Sequence, residues 1–225
     1  MKFALNTYYQ IGKKAATWVD ENSLPTGLSA DDFGLEAEAG NGQKISAYNV
    51  SLDAMYKISD NLKAGVGIEI LSGNDLTDVD RTDENAFAPL YGTNHKFNGW
   101  MDYFYVGNHG SNVGLHDLNF KVIYNNGPFF VKLIPHYFMA AGAQEYVDMD
   151  GNTQDMGALG TEIDLWAGYH FVPKVASIQF GYSQMFASEG MYALKGVGIS
   201  EDNGMGTNNW AWIMLVLKPK FLISK

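Results

Sequence analysis

Residues 114–139 read GLHDLNFKVIYNNGPFFVKLIPHYFM, and the fold follows from them. Leu118, Phe120, Val122 and Tyr124 take the even positions of the first half, with Asp117, Asn119 and Lys121 between them. That is the two-residue period of a strand with one apolar face. The return arm repeats it, with Phe129, Val131, Leu133 and Tyr137 on one face and Lys132 and His136 on the other. Asn125, Asn126 and Gly127 between the arms tolerate the positive backbone angles of a tight turn. The stretch is a β-hairpin whose arms, at about ten residues or more, are long for a soluble protein and suit crossing a bilayer at a tilt.

Working outward, residues 2–12 alternate Phe3, Leu5, Thr7, Tyr9 and Ile11 against Ala4, Asn6, Tyr8 and Gln10. An acidic, Gly-rich loop follows at 13–44, with a weak helical signal at Ala15 to Glu21. A second hairpin sets Tyr48, Val50, Leu52, Ala54 and Tyr56 on one arm and Ala64, Val66, Ile68 and Ile70 on the other, joined by Ser-Asp-Asn at 59–61. Further strands are expected near 159–171, with Leu159, Thr161, Ile163, Leu165, Ala167 and Tyr169 on the apolar face, near 174–186, and in the last stretch WAWIMLVLKPKFL. Val-Pro-Lys at 172–174 makes the third tight turn, and residues 141–158 and 187–207 read as loops.

Lys96 to Val106 has strand-like composition, but counting it as a strand would reverse everything after it. Kept as loop, it leaves about eight strands, an even number, with both termini beside the short turns. The expected fold is therefore all-β, a single domain over residues 1–225. It is an antiparallel up-and-down transmembrane β-barrel with short periplasmic turns and long acidic extracellular loops.

Charge placement follows the same plan. Nineteen of the 25 acidic residues fall in the four long loops. The strand faces hold Asp53, Glu69, Asp117, Glu162 and Asp164 with Lys57, Lys63, Lys121, Lys132 and Lys218, all on the polar side. Together with Asn119 and His136 these are the expected lumen-lining residues. Opposite them, Tyr48, Tyr56, Tyr124, Phe129, Tyr137, Tyr169, Phe171 and Phe186 gather at strand ends, as interfacial girdles do. A soluble barrel or sandwich shows the same alternation with the faces exchanged; strand length, loop asymmetry and the aromatic ends favour the membrane.

Composition sets outer bounds. The net charge is −10, and Arg81 is the only arginine, which argues against nucleic acid as a partner. The chain has no cysteine, so no disulfide or thiolate metal site arises. No apolar run of about 18 residues forms a membrane helix. The amino terminus lacks the pattern of a signal peptide, so a mature chain, or one whose front is missing, is expected.

SGND at 72–75, AFAPLYGTNHKFNGWMDYFYVGNH at 86–109, GYSQMFA at 181–187, MYALKG at 191–196 and NNWAWIMLVLKPKF at 208–221 resemble the alginate-export-like outer-membrane proteins of Bacteroidetes. The resemblance implies an outer-membrane channel in contact with lipid and lipopolysaccharide. It also implies that this chain corresponds to the carboxy-terminal part of a longer barrel with a signal peptide and further strands. A conduit for a polyanion is expected to be strongly basic inside, whereas this inferred lumen balances five lysines against five acids, which can pair across a narrow interior.

Three clusters invite a chemical reading. His95, Asp102 and His109 share one loop, where a metal or a hydrolase pair would sit, but their spacing matches no ligand motif and loop solvation accounts for them. Asp148, Asp150, Asn152 and Asp155 imitate a calcium loop, yet Thr153 stands where the turn glycine belongs and Leu159 where the bidentate Glu belongs. Trp100, Tyr103, Phe104 and Tyr105 suit a saccharide-stacking loop, with packing onto the barrel rim as the plainer account. No nucleophile motif and no phosphate loop is present, so neither enzyme activity nor a cofactor is expected. Three functions remain: a channel for small polar solutes or saccharides, a closed barrel acting as anchor or adhesion surface, and, third, a rim-sited hydrolase.

Overall fold

The computed structural model describes residues 1–13, 43–78, 80–89, 98–104, 109, 112–196 and 207–219. The helical signal at 15–21, His95 and Tyr105 lie outside them. The long strands are β1 (Lys2–Lys13), β2 (Lys44–Lys57), β3 (Leu62–Leu71), β5 (Leu115–Asn126), β6 (Phe129–Met139), β9 (Ala158–Val172), β10 (Ala176–Ala187) and β11 (Thr207–Leu217). Short elements interrupt the loops: β4 (Asp83–Glu84), β7 (Glu145–Val147), β8 (Thr153–Asp155) and the helix α1 (Glu189–Lys195).

The long strands form one antiparallel sheet in the order β1-β2-β3-β5-β6-β9-β10-β11, each beside its predecessor in the chain. Three hairpins have tight turns. Ile58 N–H and Ser59 N–H close the first on Leu62 O. Gly127, at φ 57°, and Pro128 make the second, so Asn125 and Asn126, expected in the turn, instead end β5. In the third, Val175 N–H donates to Val172 O and Lys174 takes φ 61°, followed by a register shift at Ala176/Ile178. The four other connections are long. Residues 98–104 are not strand, as the parity argument requires. Among the described residues β1 and β11 do not pair with each other, and the sheet is open.

Polarity is inverted relative to a water-soluble sheet. Asp117, Glu162 and Asp164 are fully buried, while Leu118, Val66 and Ile213, on the opposite face of the sheet, are 49%, 54% and 73% exposed. Tyr56, Phe129, Tyr169 and Phe171 stand exposed toward the tight turns, and Tyr48, Tyr137 and Phe186 toward the long loops. From Phe129 to Tyr137 the strand advances about 26 Å.

At the long-loop end the buried face becomes apolar: Phe104, Val113, Leu115, Phe138, Met156, Leu159, Met185 and Met191 form one cluster. Leu159, expected outward, is buried here. Gly160 takes φ 138° beside a register shift at Phe138/Met139, which breaks the alternation, and Ser188 N–H bonds Leu159 O as α1 packs over it. That helix is capped by Ser188, whose Oγ accepts from Met191 N–H, and by Gly196 at φ 67°. The sequence reading left 141–158 and 187–207 as loops because β7, β8 and α1 are too short to show a period.

Candidate functional site

Strand register gathers the predicted polar residues on one face. Reading across the sheet, Asp53 faces Gly67, Gly67 faces Asn119, Asn119 faces His136, and His136 faces Glu162. One step toward the loops, Glu69 faces Asp117.

These groups form a connected network rather than the row of lysine–carboxylate pairs that equal numbers suggested. His136 Nδ1–H donates to Asp117 at 2.8 Å, and its Nε2 lies 3.6 Å from Asp164 Oδ2. Ser183 Oγ–H donates to Asp164 Oδ1 at 2.5 Å. Asn49 Nδ2–H donates to Glu69 at 2.8 Å. Lys121 pairs with Asp53. Lys57 turns instead to Asp60 in the tight turn, at 2.5 Å and in solvent. Lys63 and Lys218 are exposed, Lys218 lying just beyond the end of β11. Lys132 Nζ sits 5.4 Å from the Trp100 ring centre, a cation–π contact.

A loop supplies further donors to the network. Asn98 donates to Glu69 and to Asp117, each at 3.3 Å, and Trp100 N–H and Met101 N–H donate to Glu162 Oε1 at 2.6 and 2.9 Å. Gly99 between them has φ 80°, and a Cβ there would stand 2.6 Å from the Glu162 carboxylate, so only glycine lets the backbone approach so closely. Trp100 meets Trp166 edge-on at 6.2 Å, and Trp166 in turn touches Phe130 and Trp212. Trp100 therefore lies over the polar face, whereas Phe104 packs into the apolar cluster at the long-loop end.

Described residues of the same connection reach both edges of the sheet. Phe87 meets Tyr8 at 6.4 Å and Ala88 N–H donates to Gln10 on β1, while Tyr103 O–H accepts from Asn208 Nδ2 on β11 at 3.1 Å. Its base is pinned by fully buried Asn74, which donates to Glu84 at 2.7 Å and accepts from Asn85 N–H and Ala86 N–H. Ser72 adds a bond to Asn85 O, and Gly73 lies too close to Val113 for a side chain.

Between the loop and β11 remains a groove of about 530 Å³, lined by Trp100, Asp102, Tyr103, Asn208, Asn209 and Trp210 among others. Burial, opposed by the Asn208 hydrogen bond, raises the Tyr103 phenol above its ordinary value and keeps it protonated.

The other candidates resolve into structure. His109 is buried against Phe104, and its Nε2–H donates to Gly114 O at 2.9 Å. Burial, with Lys195 nearby, lowers its pKa to about 4 against the opposing Gly114 bond. Asp148 accepts from Asp150 N–H, Asn152 N–H and the Gln154 amide, organising the β7–β8 turn with Gly151 at φ 84°. Among the described residues no group of three or more His, Asp or Glu side chains could hold a metal ion.

Sequence reasoning missed Asn74, Asn98, Gly99 and Ser183. Asn98 and Gly99 carry only a turn-like dipeptide before the aromatic run. Comparison of the chain with protein-family models and with curated proteins finds no match.

Proposed function

We propose that the chain forms the wall of an outer-membrane β-barrel of alginate-export-like type, a channel for small polar solutes or saccharides narrowed by residues 98–104. The observation that carries this reading is the inverted polarity. A soluble monomer rarely exposes a contiguous apolar patch beyond about 300–600 Å². Here the apolar face runs across eight long strands while carboxylates are buried opposite. Lipid outside and a polar interior satisfy both faces at once.

In lipid no strand edge remains unpaired, because each bare backbone group costs several kcal/mol. The edges of β1 and β11 therefore pair either with each other or with further strands of a longer parent. Eight strands leave an interior about wide enough for side chains, and more strands leave a water-filled lumen. The hydrogen-bonded loop across the polar face favours a second reading for the eight-stranded case, a closed barrel serving as anchor or adhesion surface through its acidic loops.

Single-channel recording on the 225-residue chain and on a longer parent separates the two. The expected result is little conductance from the chain alone and a conducting parent. A parent that inserts without conducting leaves the anchor, and failure of both to insert into bilayers overturns the membrane reading.

A further inference from the structure

The polar face is closed where Glu162 and Asp117 grip the loop at Asn98 to Met101, but the groove between that loop and β11 stays open. Passage along the polar face therefore runs off-centre, past the chemistry of that groove. Resting on the channel reading, we propose that the groove is a binding site for uncharged saccharides and selects them against anionic ones.

The groove presents two indoles, Trp100 and Trp210, with Trp210 47% exposed. Trp210 faces Ser183 in the β10–β11 register and so shares the inner face with it. Indole faces offer rigid apolar area at small entropic cost, which suits the C–H faces of a pyranose. Around them stand the amide side chain of Asn208 and the phenol of Tyr103, able to donate and accept bonds with ring hydroxyls. Asn208 donates to the Tyr103 oxygen, which leaves the phenolic proton to be given to a ligand. Among the described lining residues the only charge is the Asp102 carboxylate, and no lysine or arginine is present to pair a uronate. Lys132 lies against Trp100 but does not line the groove. The volume falls within the range of small-ligand clefts, ~300–1,000 Å³.

The test titrates tryptophan fluorescence of the detergent-solubilised full chain with maltotriose and with trigalacturonate, and records current block by each sugar in bilayers holding the longer parent. Maltotriose is expected to bind, Trp210→Ala to weaken it roughly tenfold, and Trp210→Phe to restore part of the loss. Asp102→Asn is expected to leave maltotriose binding in place and to raise trigalacturonate affinity. Trigalacturonate binding the wild type as tightly as maltotriose, or Trp210→Ala binding maltotriose unchanged, overturns the site. A mistuned barrel in Trp210→Ala is recognised by lost insertion, and Asp102→Asn then decides alone through the ratio of the two affinities. Saccharide binding with a parent that inserts but does not conduct refutes the channel and keeps the groove; a conducting parent with no block or binding refutes the groove and keeps the channel.

Discussion

Two levels of the inner face, two residues apart on the same strands, are built on opposite principles. On β5 Asp117 gives way to Leu115, on β6 His136 to Phe138, and on β10 Ser183 to Met185. All six are buried or nearly so, yet the first three are polar and the second three apolar. The contact between levels is direct, since the His136 and Phe138 rings lie 5.5 Å apart at 19°. The apolar level is held by volume, and Phe104 and α1 fill it from the loop side. The polar level is held by direction: each carboxylate needs its own donor, and a loop backbone supplies part of them. A cavity in the first therefore costs packing, and a lost acceptor in the second releases the loop.

The largest effect is expected from Phe138→Ala, which opens the apolar level for about 3–5 kcal/mol of unfolding free energy in a denaturant titration. A loss under about 1 kcal/mol would mean that this level is not a packed core. Glu162→Ala leaves two loop N–H groups without their acceptor, with a loss of about 2–4 kcal/mol and, in a conducting parent, a wider open state. Glu162→Gln keeps an amide oxygen for both donors and should recover most of it. Equal behaviour of the two variants would dissolve the distinction between the levels.

The contrast applies to the inner face alone, because Leu118 and Tyr137 face each other on a mainly apolar outer face. Val122→Arg, at a position that lies deeper and faces Leu133, should cost about 2–4 kcal/mol in bilayers at mid-depth, with Leu118→Arg and Tyr137→Arg costing less near the interface. Equal costs, or none, would place this face in water.

The smallest effect separates the levels by pH. Buried neutral His109 sits in the apolar level with its pKa lowered from 6.5 to about 4. Between those values the unfolded chain binds the proton and the folded chain does not, so stability falls as pH drops from about 6.5 toward 4, by at most roughly 3 kcal/mol. His109→Phe should flatten that part of the stability profile. An unchanged slope would show that His109 does not stay neutral in the fold.

The sequence by itself determined the eight long strands, the three tight turns, the placing of the polar residues on one face and the exclusion of residues 98–104 from the sheet. Those properties are periodic or local: a two-residue alternation carries side-chain direction, and Gly127-Pro128 carries a turn. Even the sense of the faces, polar in and apolar out, was legible once strand length and loop asymmetry were weighed together. Only the tertiary structure decided which partners satisfy the buried acids. The strand residues supplied lysines and carboxylates in equal number, and pairing them was the economical expectation. The actual donors are a histidine, a serine, asparagines and the backbone of a loop more than sixty residues from Glu162 in the chain. Such contacts have no period and no spacing, because they depend on how far a loop folds across a sheet. The same holds for Leu159, whose parity pointed outward until a bulge at Gly160 and the helix above it enclosed it.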